Sequence, residues 1–169
     1  MITRRTVLLS AVSVAGLAAV AIPGSMFVRG RNAGREPEVF EINKPDAEWR
    51  RQLNSNQYAV LRQAGTERAG SSPLLKEKRP GIYHCAGCDL AAYSSEHKYD
   101  SGTGWPSFTQ PIDNAVSTSP DVRALVTLTE VHCRRCGGHF GHIFNDGPQP
   151  LGKRHCINGL SLTFKAAVA

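Results

Sequence analysis

Trp49 and Leu53 stand four apart in KPDAEWRRQL with polar residues around them. That spacing predicts a short helix, with Pro45 and Asp46 suited to its start. NSNQYAVLRQAG predicts a second helix, with Ser55 as N-cap and Gly65 as its stop. TERAGSSPLLKEKRPG then reads as a turn-rich loop. After Gly81 the texture changes. GIYHC, LAAYSS, NAVST, RALVTLTEVHC and INGLSLTF are short runs of β-branched and aromatic residues, punctuated by Gly, Pro, Asn and Asp. The expected fold is mainly β: compact antiparallel sheets with short helices in front. The chain shows no internal repeat beyond its paired CxxC units and no glycine-rich nucleotide motif.

The N-terminus follows a different pattern. An apolar run from Val7 to Ile22, rich in Ala, Val and Gly, follows the twin arginines Arg4 and Arg5. Thr3-Arg4-Arg5-Thr6-Val7-Leu8 resembles the twin-arginine export signal of bacteria, and Ala19-Val20-Ala21 has the small-x-small form of a cleavage site. Residues 1–28 are therefore expected to be an export signal, with a retained membrane anchor as the alternative. Residues 29–40 are a polar linker, and the folded domain is expected over 41–169. The expected location is periplasmic or otherwise extracytoplasmic, with membrane contact only through an uncleaved signal.

Charge changes the picture less than the total of +6 suggests. Five of the twenty basic residues lie before residue 40, and the remainder holds fifteen basic against twelve acidic residues. A tetrathiolate zinc site would add −2 and leave the domain close to neutral. No nucleic-acid partner is indicated.

Cys85-Ala86-Gly87-Cys88 and Cys133-Arg134-Arg135-Cys136 each follow a predicted strand. A CxxC turn sets two sulfurs on one side of a tight loop, and two such turns supply a tetrahedral S4 shell that suits one structural zinc ion. Two disulfides or a thioredoxin-like redox pair are the alternatives. Neither CxxC opens a long helix, which weighs against the redox pair.

Cys156, in GKRHCING, is left over. An inert cysteine buried on a strand is one reading. The neighbours favour another. On a strand, Arg154, Cys156 and Asn158 share one face and His155 points to the other. A guanidinium there favours the thiolate. Upstream, HFGHIFNDGP carries His139 and His142, and a Cys–His pair is one arrangement of an activated thiol. DSGTGWPSF holds Trp105 on a glycine-punctuated loop, suited to a pocket wall.

Together GTGWPSF, the two CxxC units, EVHCRRCGGHFGHIFNDGP and RHCIN resemble the peptide-methionine (R)-S-oxide reductases of the B type, in the family's motif order from about Lys44 to Phe164. The resemblance implies a small β domain (a β-tent of antiparallel sheets) with its zinc site opposite the catalytic face. It implies Cys156 as nucleophile, passing through a sulfenic acid. It implies Trp105 against the substrate methyl, and His139, His142 and Asn158 around the sulfoxide oxygen. Arg154, with Asp146 nearby, would favour the thiolate, and Cys85, Cys88, Cys133 and Cys136 would hold Zn2+. The implied partners are proteins and peptides containing methionine sulfoxide and a thioredoxin-like or small-thiol reductant. A monomer is expected. Four positions depart from the family's habit. His155 replaces a tyrosine, Gly159 replaces a serine, RAGSSP replaces a proline–aromatic element, and Thr103 stands where many members carry a resolving cysteine. Two other readings compete: a zinc-stabilised binding module, and a thiol hydrolase built on Cys156 and His142.

Overall fold

Helix α1 (Asp46–Gln52) buries one side chain, Trp49, whose ring lies against the Arg62 guanidinium at 4.8 Å and the Lys44 ammonium at 5.0 Å. Helix α2 (Ser55–Gln63) is capped by Asn54, not by Ser55. The Asn54 side chain accepts from the Gln57 amide at 2.9 Å, and the Gln57 side chain accepts from the Asn54 amide at 3.3 Å. Reciprocal capping needs a Gln or Glu three residues on, and only a cap at 54 provides one. The helix ends at Ala64, which takes the left-handed conformation (φ 53°) expected one residue later at Gly65.

The computed structural model describes residues 38–123 and 126–168. The expected signal over 1–28, and the linker as far as residue 37, lie outside them. Residues 38–40, assigned to the linker by composition, belong to the folded unit, which begins at Glu38. Phe40 packs edge-on against His132, and Glu38 accepts from His132 Nε2 at 3.1 Å. Among the described residues no helix is long and apolar enough to cross a membrane.

The described residues form nine strands in two antiparallel sheets. They are β1 (Gly81–Cys85), β2 (Ala91–Ser94), β3 (Lys98–Tyr99), β4 (Ser107–Phe108), β5 (Val116–Arg123), β6 (Val126–Cys133), β7 (His139–Phe144), β8 (Arg154–Ile157) and β9 (Leu162–Ala166). The small sheet has the order β2-β1-β9 and the large one β3-β4-β8-β7-β6-β5. Two expected runs divide differently. RALVTLTEVHC starts on Arg123, the last residue of β5, and its VTLTEVHC part is β6. INGLSLTF breaks after Ile157 into a 3-10 turn (Gly159–Ser161), where the Ser161 hydroxyl donates to the Asn158 carbonyl at 2.6 Å, and resumes as β9.

Tyr83 and Tyr93 of the small sheet and Phe108, Val131, Phe140 and Ile157 of the large one are fully buried together. Tyr93 stacks on Phe108 with ring centroids 4.5 Å apart, and Tyr83 meets the same ring edge-on at 5.1 Å. Helix α2 packs on β7 and on the 3-10 turn.

Candidate active site

The two CxxC turns are local copies of each other. In the first, Asp89 N donates to Cys85 O at 2.8 Å and Cys85 N donates to Leu90 O at 2.8 Å. In the second, Gly137 N donates to Cys133 O at 2.8 Å and Cys133 N donates to Gly138 O at 2.9 Å. Asp89 (φ 60°) and Gly137 (φ 67°) both take the left-handed conformation that closes such a turn. One turn ends β1 of the small sheet and the other ends β6 of the large one, so their sulfurs meet across the two sheets. All four lie within 4.8 Å of one another, with Cys85 and Cys136 at 3.7 Å and Cys88 and Cys133 at 3.4 Å. A zinc tetrathiolate with Zn–S near 2.3 Å has tetrahedral edges of about 3.8 Å, whereas a disulfide needs about 2.05 Å. The four cysteines fit a metal ion, and Cys156 is not among them.

Strand pairing places the rest. Cys156 on β8 lies opposite Ser107 on β4 and His142 on β7. His142 lies opposite Glu130 on β6, Glu130 opposite Ser119 on β5, and Ser107 opposite Tyr99 on β3. Residues opposite one another in a ladder share a face. Tyr99, Ser107, Cys156, His142, Glu130 and Ser119 therefore form one polar row across all six strands. His155 faces the other way, as expected. It is buried against Tyr93, whose hydroxyl lies 3.2 Å from Nδ1, and burial with the nearby Lys153 charge pushes its pKa down to about 4. It is a neutral core residue. His155 is not among the residues that line the cavity on the opposite face.

His139 joins the row through a bulge. On a regular strand, residues three apart point to opposite faces. Here the register shifts: Val131 pairs with Gly141 and His132 with His139, so Phe140 is the extra residue. The alternation reverses, and the His139 and His142 rings meet at 5.3 Å. Asn158 holds the bulge. Its backbone N and its Nδ2 both donate to Phe140 O, at 2.8 and 2.9 Å. Its Oδ1 accepts from Glu67 N at 2.9 Å. Asn158 was expected to bind substrate oxygen. It lines the cavity, but its amide braces the fold, with a single Nδ2 hydrogen left over.

Each histidine is paired with a carboxylate that the sequence reading did not single out. His139 Nδ1 lies 2.7 Å from Glu130 Oε1, and His142 Nε2 lies 2.9 Å from Asp121 Oδ2. Burial pushes the Glu130 pKa up, but hydrogen bonds from His139 and Ser119 outweigh it and hold the group near 2. Glu130 is therefore ionised and keeps the proton of His139 on Nδ1. The buried Nε2 of His139 has no hydrogen-bond partner among the described residues.

A cavity of about 150 Å³ lies over the row, lined by Trp105, Phe144, His142, Cys156, Asn158, Gly141 and Thr66. Trp105 and Phe144 are its aromatic walls. Arg154 does not line it. It makes a bidentate pair with Asp146 (2.9 and 2.8 Å) and its guanidinium lies over the Phe144 ring at 4.5 Å. Asp146 thus positions Arg154 rather than facing the cavity. The expected thiolate is also modified. Burial raises the Cys156 pKa, and the opposing pull of Arg154 and of a hydrogen bond from Thr103 does not cancel that rise.

Glu67 ties the cavity together and was missed as a site residue. Its carbonyl accepts from Trp105 Nε1 at 3.0 Å, its amide binds Asn158, and its buried carboxylate accepts from Gly159 N at 2.5 Å. The RAGSSP loop beyond it docks on the tryptophan loop, with Gly70 N donating to Gly104 O at 2.8 Å.

The SelR domain profile matches residues 53–166. Among the relatives, the "Peptide methionine sulfoxide reductase MsrB" of Leptospira interrogans is 48% identical over 127 residues, covering 75% of this chain and 97% of the relative. That of Agrobacterium fabrum is 45% identical over 126 residues, 74% of this chain and 93% of the relative. "Peptide methionine sulfoxide reductase B1, chloroplastic" of Oryza sativa is 50% identical over 127 residues, 75% of this chain and 59% of that longer protein. This chain belongs to the peptide methionine sulfoxide reductase B family. It is a mainly β enzyme of that family, and the expected fold and membership stand.

Membership sharpens the meaning of the departures. Gly159 and RAGSSP, which looked independent, occupy the same space. A Cβ at Gly159 would lie 1.8 Å from the Ser72 hydroxyl and 2.7 Å from Ser72 Cβ. The serine side chain common in the family is absent at 159, and the Ser72 side chain fills its place. Gly159→Ser alone should destabilise the domain by about 1–3 kcal/mol through overpacking. Adding Ser72→Gly should recover most of that loss in urea unfolding. Independent, additive losses would show that the two positions do not share this space.

Proposed function

We propose that the protein reduces peptide-bound methionine (R)-sulfoxide, with Cys156 as the nucleophile, and so repairs oxidised exported proteins. The observation that carries this reading is one cavity in which Cys156, His142, Asn158 and two aromatic walls converge, in a chain of this family. The substrate methyl packs against Trp105 and Phe144, and the sulfoxide oxygen faces the histidines. A sulfoxide sulfur is chiral. With methyl and oxygen sites fixed and the peptide leaving by the cavity mouth, only one epimer presents its sulfur to Cys156.

The raised Cys156 pKa suits this chemistry, because the reaction consumes the thiol's proton. A histidine of the row takes that proton as the thiolate attacks, and returns it to the sulfoxide oxygen. Glu130 and Asp121 stabilise the imidazolium formed in between. Attack forms an S–S bond and the S–O bond breaks: the oxygen, carrying the thiol's proton, takes a second proton from the histidine row and leaves as water, and hydrolysis of the S–S bond releases the thioether and gives that second proton back. The net change is oxygen transfer. The sulfoxide is reduced to methionine, and the Cys156 thiol is oxidised to a sulfenic acid. With Thr103 at the position of the family's resolving cysteine, an external thiol resets the enzyme. A thioredoxin-like partner or a small thiol attacks the sulfenic acid, releases water, and is itself oxidised through a mixed disulfide. The twin-arginine pattern favours action outside the cytosol, after folding and metal loading. Cys85, Cys88, Cys133 and Cys136 hold one structural zinc. With four protein ligands it takes no substrate, and its contribution is to join β1 and β6.

With dithiothreitol as reductant, the R epimer of a methionine-sulfoxide peptide should be turned over and the S epimer should not. Cys156→Ser should abolish turnover with the fold intact, and His142→Ala should slow it by roughly 10²-fold. Equal turnover of both epimers, or an active Cys156→Ser variant, would contradict the reading. Metal analysis should find one zinc per chain, and Cys85→Ser should lose both metal and folding stability. Active protein without zinc would remove the structural role.

A further inference from the structure

Composition assigns Phe40 to a linker and gives Glu41 and Ile42 no chemistry. In the structure all three close on the second CxxC turn, residues 133–136. The Phe40 ring lies over Gly137, where a Cβ would stand 2.7 Å from Phe40 Cζ. The same ring meets the buried His132 edge-on, with centroids 5.8 Å apart. Ile42 N donates to Arg135 O at 2.9 Å. One oxygen of the Glu41 carboxylate pairs with the Arg134 guanidinium, and the other lies 3.6 Å from Arg135 Nε. The segment therefore grips the residue before the turn, the two inside it and the one after it.

The carbonyls of the two turns are also met from outside. Gly87 O accepts from Gln52 Nε2 at 2.6 Å, Cys136 O from Arg62 Nη1 at 2.9 Å, and Cys88 O from Arg135 Nη1 at 3.4 Å. A thiolate must swing off its ion before a competing ligand takes its place, and that needs a local opening of the turn that carries it. Cys85, Cys133 and Cys136 are buried, and Cys88 is the least covered of the four. A competing ligand therefore enters at the Cys88 corner. Arg135 spans that corner from the second turn, and it is fixed at its carbonyl by Ile42 and at its side chain by Glu41.

We propose that Phe40, Glu41 and Ile42 form a clasp that keeps the second CxxC turn closed on its metal and so sets the rate at which zinc is lost. This rests on the four cysteines holding zinc. Groups outside the ligand shell orient the ligands and tune how firmly the ion is held, and here they come from a segment about ninety residues away in the chain. Glu41 is exposed, so its ion pairs add little to global stability, and its effect falls on the opening of the turn. None of the three residues lines the Cys156 cavity, so the clasp governs the lifetime of the metal and not the chemistry of turnover. Four thiols freed of their ion are open to disulfide formation in an oxidising compartment, so slow release also protects the fold.

The test is zinc transfer from the full zinc-loaded, reduced chain to the chelator pyridylazoresorcinol, followed by absorbance, beside the urea midpoint of each variant. Phe40→Ala should release zinc roughly tenfold faster than the wild type. Glu41→Gln keeps the size of the side chain but removes the charge that pins both arginines. It should release zinc about threefold faster with little change in midpoint, and it carries the test if Phe40→Ala fails to fold. Val39→Ala, at an exposed position beside the clasp, should match the wild type. Phe164→Ala controls for general destabilisation, because Phe164 packs on Tyr83 in the small sheet. Compared at equal stability, it should release zinc no faster than the wild type. Release rates that follow the urea midpoint alone across Phe40→Ala, Glu41→Gln and Phe164→Ala would overturn the clasp. A chain that carries no zinc before the chelator is added would undo the metal assignment and the clasp with it, a failure seen at an earlier step of the experiment.

Discussion

Register in the large sheet is the constraint on which the site depends. Cys156 is held opposite Ser107 and His142 by ladders on both sides of β8. A slip of one residue would turn Cys156 into the core and bring His155 to the cavity. The aromatic core prevents that slip, because Ile157 and His155 occupy fitted sites against Tyr93 and its neighbours. The same register continues through Glu130 to Ser119 and back to Tyr99, so one packing decision aligns a polar row six strands wide. The bulge at Phe140 adds His139 to that row, and Asn158, just beyond the end of β8, fixes it. Cys156 and the histidines are therefore coupled through backbone hydrogen bonds rather than through long side chains.

The electrostatics of the row are a balance of opposed terms. Burial pushes the Cys156 pKa up and the His155 pKa down, in each case toward the uncharged form. Hydrogen bonds overcome burial at Glu130, which stays ionised in the same sheet. The Arg154–Asp146 pair has its strongest contacts with itself and with Phe144. Its role is to keep a cation beside the sulfur and to brace an aromatic wall of the cavity.

The sequence made local chemistry legible and left cross-chain geometry hidden. The CxxC turns were readable because their ligands and their turn residues are adjacent in sequence. The face shared by Arg154 and Cys156, and the inward turn of His155, followed from strand alternation alone. The bulge was not readable, because it exists only in the pairing of β7 with β6, and with it went the reason that His139 and His142 meet. Glu130, Asp121 and Glu67 were missed for the same cause: each reaches its partner across strands or from a distant loop. The burial of Cys156, which opposes the pull of Arg154, cannot be read from neighbours two residues away. Gly159 and Ser72, remote in sequence, became one feature only when their side-chain spaces coincided.

The central claim is that Cys156 carries the redox cycle alone, apart from the four metal-ligating cysteines. It is tested most directly by treating the full-length zinc-loaded protein with one equivalent of a methionine-(R)-sulfoxide peptide and no reductant, followed by intact mass, free-thiol count and metal analysis. The account predicts a gain of one oxygen at Cys156, trappable as a sulfenic acid, with one thiol lost and zinc retained. Loss of two hydrogens with an internal disulfide to Cys156 in the native fold, or release of zinc on turnover, would contradict it.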